Sequence, residues 1–313
     1  MNPIPSTGRP RLWVFATIAA GFVLIFFLLL WHYDLRRRPA ASVDFIADGT
    51  IAMQEFDFER AYRSFHQAVE AEPAGSPRWQ NAVFASAVAC QAITPETRSN
   101  MDDAIALYHL LLSTSPDSQF APTAILNLGR IAELGEMFGD APDFTAARAD
   151  YQQVIQRWPN APVAGEATLR LAATYIQTYQ PDQVRTGLAM LTSWLKSHSA
   201  DPLAPVIWQY MGDTNFLALQ DYSDSLDCYL KADAIGLVDS TKAGPIYWRM
   251  AVLADRYVHN RPVAIAYYRK LIITAPWDGK AYEAEQALRH LGVSQPPSSP
   301  VAASSSSTLP EIQ

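Results

Sequence analysis

Residues 65–75 read FHQAVEAEPAG, and the same skeleton returns as YHLLLSTSPDS at 108–118 and YQQVIQRWPNA at 151–161. In each copy a proline follows the aromatic residue by eight positions, and successive aromatics stand 43 residues apart. Trp194 and Pro202 in WLKSHSADP continue both series. Self-similarity at a fixed period of this length marks a stacked repeat, and it must be read before any isolated residue is given a role.

The local pattern is helical. In IAMQEFDFERAYRSFHQAVEAEP (51–73), Phe58, Ala61, Phe65 and Ala68 recur at three- and four-residue intervals and share one helix face, where a strand would scatter them. Pro73 and Gly75 then end the helix. The preceding SVDFIADGTIAMQEF (42–56) supplies a partner helix, in which Gly49 permits close approach at some loss of helix propensity. The expected unit is two short helices joined by a turn.

At these positions the sequence resembles the tetratricopeptide-repeat family. Phe45, Gly49, Ala61, Phe65, Ala68 and Pro73 match its spacing of large, small, alanine, aromatic, alanine and proline. Later copies read Ala104, Tyr108, Leu111, Pro116; then Ala147, Tyr151, Val154, Pro159; then Met190, Trp194, Pro202. Trp208, Gly212, Tyr229 and Ala232 mark a fifth unit, and Trp248, Ala264, Tyr268, Leu271 and Pro276 a sixth. The resemblance covers roughly residues 42–276 and implies an all-α, right-handed TPR-like solenoid. It departs from the family in length, since the family's unit has about 34 residues and these aromatics are spaced at 43, 43, 43, 35 and 39. Extra residues fall at QAITPETRSNMDD and ELGEMFGDAPDFT, which read either as binding loops or as tolerated loop expansion. Repeat four is weak, with Met190 and Ser197 where small and apolar residues belong.

A two-helix unit cannot bury its apolar face alone, so neighbours must stack. The aromatic series Phe65, Tyr108, Tyr151, Trp194, Tyr229 and Tyr268 is therefore read as packing, not as a cofactor platform. The helix in DGKAYEAEQALRHLG (278–292) closes the stack as a cap, and 42–292 forms the repeat domain. Beyond it, 293–313 is a Pro/Ser/Ala-rich tail without a core pattern.

One segment has a different solvent. LWVFATIAAGFVLIFFLLLW (12–31) carries no charge, and at about 1.5 Å per residue it is long enough to cross a hydrocarbon core of about 30 Å. Its apolar run is long for a cleaved signal peptide, and HYDLRRRPAAS after it lacks a small-residue cleavage site. The expectation is a single transmembrane helix between a short N-terminal tail (1–11) and a basic juxtamembrane linker (32–41), with Trp13, Trp31, Arg36, Arg37 and Arg38 at the membrane interface. The positive charges on the two sides are balanced. Resemblance to bacterial signal anchors nevertheless implies an inner-membrane protein with a periplasmic domain, the alternative being a cytoplasm-facing adaptor.

Chemical motifs are scarce. The six histidines form no close metal pattern, and no phosphate-binding loop, nucleophile elbow or H-E-x-x-H occurs, so neither metal nor cofactor is expected. Carboxylates in MDDA and DYSDSLD suit helix starts and solvated faces. Cys90 and Cys228 read as isolated buried thiols. A net charge of −7 argues against a broad nucleic-acid surface. The family resemblance implies protein binding on the concave side made by the first helix of each unit. Its register points to Arg130 and Glu133, Asp213 and Phe216, and Arg249 and Arg256. The expected role is a noncatalytic scaffold or assembly subunit for proteins of a membrane complex, with a cell-envelope enzyme as the different-class alternative.

Overall fold

The computed structural model describes residues 44–135, 137, 139–236 and 243–293. The apolar segment 12–31, Trp13, Trp31, the linker with Arg36, Arg37 and Arg38, and the tail after Val293 lie outside these residues. The described residues form thirteen α-helices and no strand, so the fold is all-α. Among them no helix is long and apolar enough to cross a membrane. The described residues divide into two compact units, one ending at Ala89 and one beginning at Cys90, and the boundary falls within α3 (Pro77–Ala92).

In the first unit α1 (Phe45–Gln54) packs on α2 (Phe58–Ala71). Asp44 and Asp57 cap them by accepting from Ala47 N and Arg60 N. A Cβ placed on Gly49 would lie 2.7 Å from the Phe65 ring, so glycine is what lets the ring seat against α1. Ala52, Ala61 and Ala89 complete that contact. Asp48 accepts from Ser64 Oγ at 2.5 Å and pairs with Arg60, and these bonds hold its carboxyl below the usual range.

The second unit continues with α4 (Arg98–Thr114), α5 (Ala121–Leu134), α6 (Phe144–Arg157), α7 (Ala164–Ile176), α8 (Pro181–Ser197), α9 (Ala204–Thr214), α10 (Tyr222–Ile235), α11 (Ala243–Val252), α12 (Arg261–Thr274) and α13 (Lys280–His290). Within each repeat the first, or A, helix packs on the second, or B, helix: α5 on α6, α7 on α8, α9 on α10 and α11 on α12. Polar side chains start most B helices, with Thr97, Asp143, Asp221 and Asn260 each accepting from a backbone N–H of the first turn. Asp221 thus accounts for one carboxylate of DYSDSLD, whereas Asp102 and Asp103 of MDDA lie exposed on α4. The A helices α5 and α9 begin instead with a proline in the first turn and no side-chain cap.

The small-against-large contact recurs. A Cβ on Gly129 would stand 2.7 Å from Tyr151, and one on Gly212 would stand 2.9 Å from Tyr229. Tyr108, Tyr151, Tyr229 and Tyr268 are among the largest fully buried side chains. The B-helix cap residues Glu72, Ser115, Trp158, Gly236 and Ala275 each follow their aromatic by seven positions.

Repeat four departs from the sequence register. Its cap is His198, which places Leu191, not Trp194, seven residues earlier at the aromatic position. Leu191 is wholly buried, and the B-helix alanine position four residues before it, held elsewhere by Ala61, Ala104 and Ala147, is Gly187, whose added Cβ would meet Ala172 O at 2.7 Å. Met190 is only half-buried and Ser197 is exposed, which explains their poor match. The eight-residue spacing of Trp194 and Pro202 is therefore a coincidence, three residues out of phase. Trp194 is still buried, stacked on His198 at 3.6 Å.

Two A helices end in π-helical turns, Asn215–Leu219 after α9 and Leu253–Tyr257 after α11. Each turn accommodates one more residue than an α-helical path, so Gly212 precedes Tyr229 by 17 positions where Gly49 precedes Phe65 by 16. By the same count Ala251 takes the small position of repeat six, and Tyr247, not Trp248, is its buried large residue. After the last pair of helices α13 lays Ala284 and Leu288 on α11 and α12.

Two predictions follow from this packing. Gly129→Val is expected to lower stability by about 1–3 kcal/mol in urea unfolding, because the Tyr151 ring is fixed by its hydroxyl and cannot withdraw. Burial pushes both cysteine thiols up to about 11. Native-state labelling at pH 8 should run about two hundredfold slower than for an exposed thiol, and unfolding should abolish the difference.

Candidate protein-binding face

The tyrosines fix the chemistry of the A-helix side. Each ring enters the core from a B helix and carries its hydroxyl through to an A helix, where a polar partner must meet it. Tyr151 donates to Glu133 Oε2 at 2.6 Å, Tyr229 to Asp213 Oδ1 at 2.6 Å and Tyr268 to Asp255 Oδ2 at 3.2 Å. Tyr108 donates to Gln91 Oε1 at 2.8 Å and accepts from Asn127 at 3.0 Å. Burial pushes Tyr108 up to about 12; burial and then the neighbouring carboxylates raise the other three further.

The following A helix closes the Tyr108, Tyr151 and Tyr229 arrangements. Arg170 of α7 reaches Glu133 at 3.2 Å and Glu166 at 2.7 Å. Arg249 of α11 pairs with Asp213 and donates to Tyr229 OH at 2.9 Å. Asn127, Arg170 and Arg249 occupy one register position, two residues before the small residues Gly129, Ala172 and Ala251. Tyr210 holds the same place before Gly212, facing a repeat whose Leu191 carries no hydroxyl.

These contacts locate the sequence candidates. Glu133 is bound to Tyr151 and Arg170, with 12% of its side chain exposed. Asp213 and Arg249 are held together at 31% and 43% side-chain exposure. Arg130 and Arg256 are exposed, and no described residue forms an ion pair with either. Phe216 lies half-buried in the π turn, 5.7 Å from the Tyr222 ring. The structure brings Asp213, Phe216 and Arg249 together, while Glu133 belongs to a separate cluster with Arg170.

A cleft of about 440 Å³ opens beside Phe216 and Arg249, walled by Trp248, Val252, Tyr257 and Lys280. Tyr257 is 47% exposed and packs on Tyr222 at 4.2 Å, and Lys280 Nζ lies 5.3 Å from the Trp248 ring. Apolar rings flanked by two cations suit a peptide that combines an apolar side chain with a carboxylate. Sequence reasoning missed Arg170, Trp248, Tyr257 and Lys280 as site residues. Arg170 was accessible through its shared register with Arg249, but Trp248 and Tyr257, of α11 and its π turn, meet Lys280 only through the packing of α13 on that repeat. Among the described residues, no group of three or more His, Cys, Asp or Glu side chains is placed to hold a metal.

In fold this is a tetratricopeptide-type helical-repeat protein. The C-terminal part of a TPR repeat-containing protein from Cytophaga hutchinsonii superposes with a TM-score of 0.52 at 15% identity, over 78% of this chain and 86% of that one. Two further solved structures superpose less closely. PilF of Pseudomonas aeruginosa gives 0.48 at 18% identity over 78% of this chain and 96% of its own. PilW, described as a widely conserved type IV pilus biogenesis factor, gives 0.49 at 19% identity over 80% of this chain and 100% of its own. No family model matches the sequence, and no curated protein matches it.

The two clusters differ in exposure, which sets their energies apart. Double-mutant cycles to alanine should give a coupling of about 1–2 kcal/mol for Glu133 with Arg170 and less than about 1 kcal/mol for Asp213 with Arg249. Salt at 0.5 M should weaken the second coupling more than the first.

Proposed function

We propose that the chain is a noncatalytic scaffold or assembly subunit that binds proteins of a membrane or cell-envelope complex. The observation that carries this reading is the aromatic and cationic cleft formed by α11, α13 and the two π turns, a ready contact surface on a helical-repeat fold. The apolar segment 12–31 would hold that surface at the inner membrane, with Trp13 and Trp31 in the headgroup zones and Arg36, Arg37 and Arg38 against anionic lipid. Anchoring confines the scaffold to two dimensions and raises the effective concentration of what it holds. The repeat domain is assigned to the periplasmic side.

Crosslinked capture from native membranes tests the binding role. The full chain should recover specific membrane partners, and Tyr257→Ala combined with Lys280→Glu should lose them while keeping the helical circular-dichroism spectrum. Unchanged recovery would remove the cleft from the binding surface. Recovery of the chain alone would reject complex membership. Protease added to intact spheroplasts should digest the repeat domain, and protection until the membrane is opened would turn the domain to the cytoplasm.

A further inference from the structure

The insertion at 135–143, between the two helices of repeat three, does more than lengthen a turn. It leaves α5 at Gly135 (φ +85°) and returns to it when Asp143 N donates to Ala132 O at 2.8 Å. Between that return and α4 lies a cleft of about 600 Å³, larger than the one at Phe216. Its wall is aliphatic, formed by Ile105 of α4 with Leu128, Ile131 and Ala132 of α5. Three carboxylates and His109 also line it.

The carboxylates are not equivalent. Asp140 accepts from Arg98 at 2.8 Å and from Met137 N at 3.1 Å. Asp143 is committed to capping α6, accepting from Thr145 N and Ala146 N at 3.0 Å each. Asp150, two turns into α6, has no hydrogen-bond or ion-pair partner among the described residues. It is half-buried, and burial alone pushes its carboxyl up to about 6. An ionised group withdrawn from water without a partner is costly, and a cation brought by a ligand removes that cost.

We propose that this cleft binds a partner protein through one lysine or arginine side chain, its stem on Ile105, Leu128 and Ile131 and its charge on Asp150. The aliphatic wall matches the stem of a long basic side chain, and the unpaired carboxylate matches its head. The occupant is a basic segment with apolar neighbours, unlike the carboxylate-bearing segment suited to the Phe216 cleft. The two sites share no residue, so failure of one leaves the other standing.

The test uses the full-length chain in lipid nanodiscs and a fluorescein-labelled, acetylated pentapeptide, Ser-Leu-Lys-Leu-Ser, followed by anisotropy. Peptides with norleucine or glutamate at the centre are the controls. The lysine peptide should bind about tenfold or more tightly than either control. Asp150→Asn should reduce it to the norleucine level, while Asp182→Asn, at an exposed carboxylate of α8 that lines neither cleft, leaves it unchanged. The asparagine variant should melt at or above the wild-type temperature, since the withdrawn charge is gone. Should that variant fail to fold, Ala146→Lys places an ammonium one turn from Asp150 and is expected to block the lysine peptide instead. Equal binding of the lysine and norleucine peptides overturns the proposal. So does a dimer by light scattering that Asp150→Asn returns to monomer, which would make a second copy the occupant.

Discussion

The seating of one large B-helix side chain on a small A-helix residue is the contact from which the rest follows. Glycine or alanine at that point lets two helices approach, and the ring fills the space that their crossing opens. Where the large residue is tyrosine, its hydroxyl emerges near the A-helix surface and demands an acceptor, which brings Glu133, Asp213 and Asp255 to their places. Glu133 and Asp213 then attract a cation from the next A helix, Arg170 and Arg249. A buried packing choice thus determines the charge pattern of an exposed face. Repeat four shows the converse, since Leu191 makes no such demand and Ile176 stands where repeats three and six carry Glu133 and Asp255.

This coupling tempers the reading of charged residues as docking groups. Glu133, Asp213 and Arg249 fulfil intramolecular requirements first, so altering them disturbs the repeat junctions as well as the surface. Arg130 and Arg256 carry no such duty among the described residues. Phe216 is intermediate, packed on Tyr222 along one edge and facing the cleft with the other. A partner would therefore gain most from the rings and Lys280, whose side chains retain accessible surface.

The all-α architecture was legible because aromatic, small and proline positions recur under a single geometric rule. That rule reports relative phase along a helix but not helix length. The α8 helix is 17 residues long against 14 for α6, with its extra turn before Leu191, while Trp194 and Pro202 imitate the pattern three residues late. The π turns were hidden for a related reason, since one inserted residue in a helix has no compositional signature. The sites were less legible still. Arg170 could be inferred from register, but Phe216 and Lys280 are brought to Trp248 and Tyr257 by stacking of successive elements, a relation that linear spacing does not record.

The two clefts occupy different kinds of position, and the repeat geometry explains why both are available. Contacts between successive helices fix the A-helix face, so a cleft there must be made from side chains that also serve the junctions. The segment between the helices of one repeat is under no such constraint, because lengthening it changes neither crossing. The 135–143 insertion uses that freedom: it returns to α5 by the bond to Ala132, caps α6 with Asp143 and engages Arg98 through Asp140. With those requirements met, Asp150 is left facing an aliphatic wall without a partner among the described residues. Packing alone would favour an apolar or hydrogen-bonded residue at that place. Its carboxylate is the feature that the fold itself does not require, and therefore the stronger mark of a ligand.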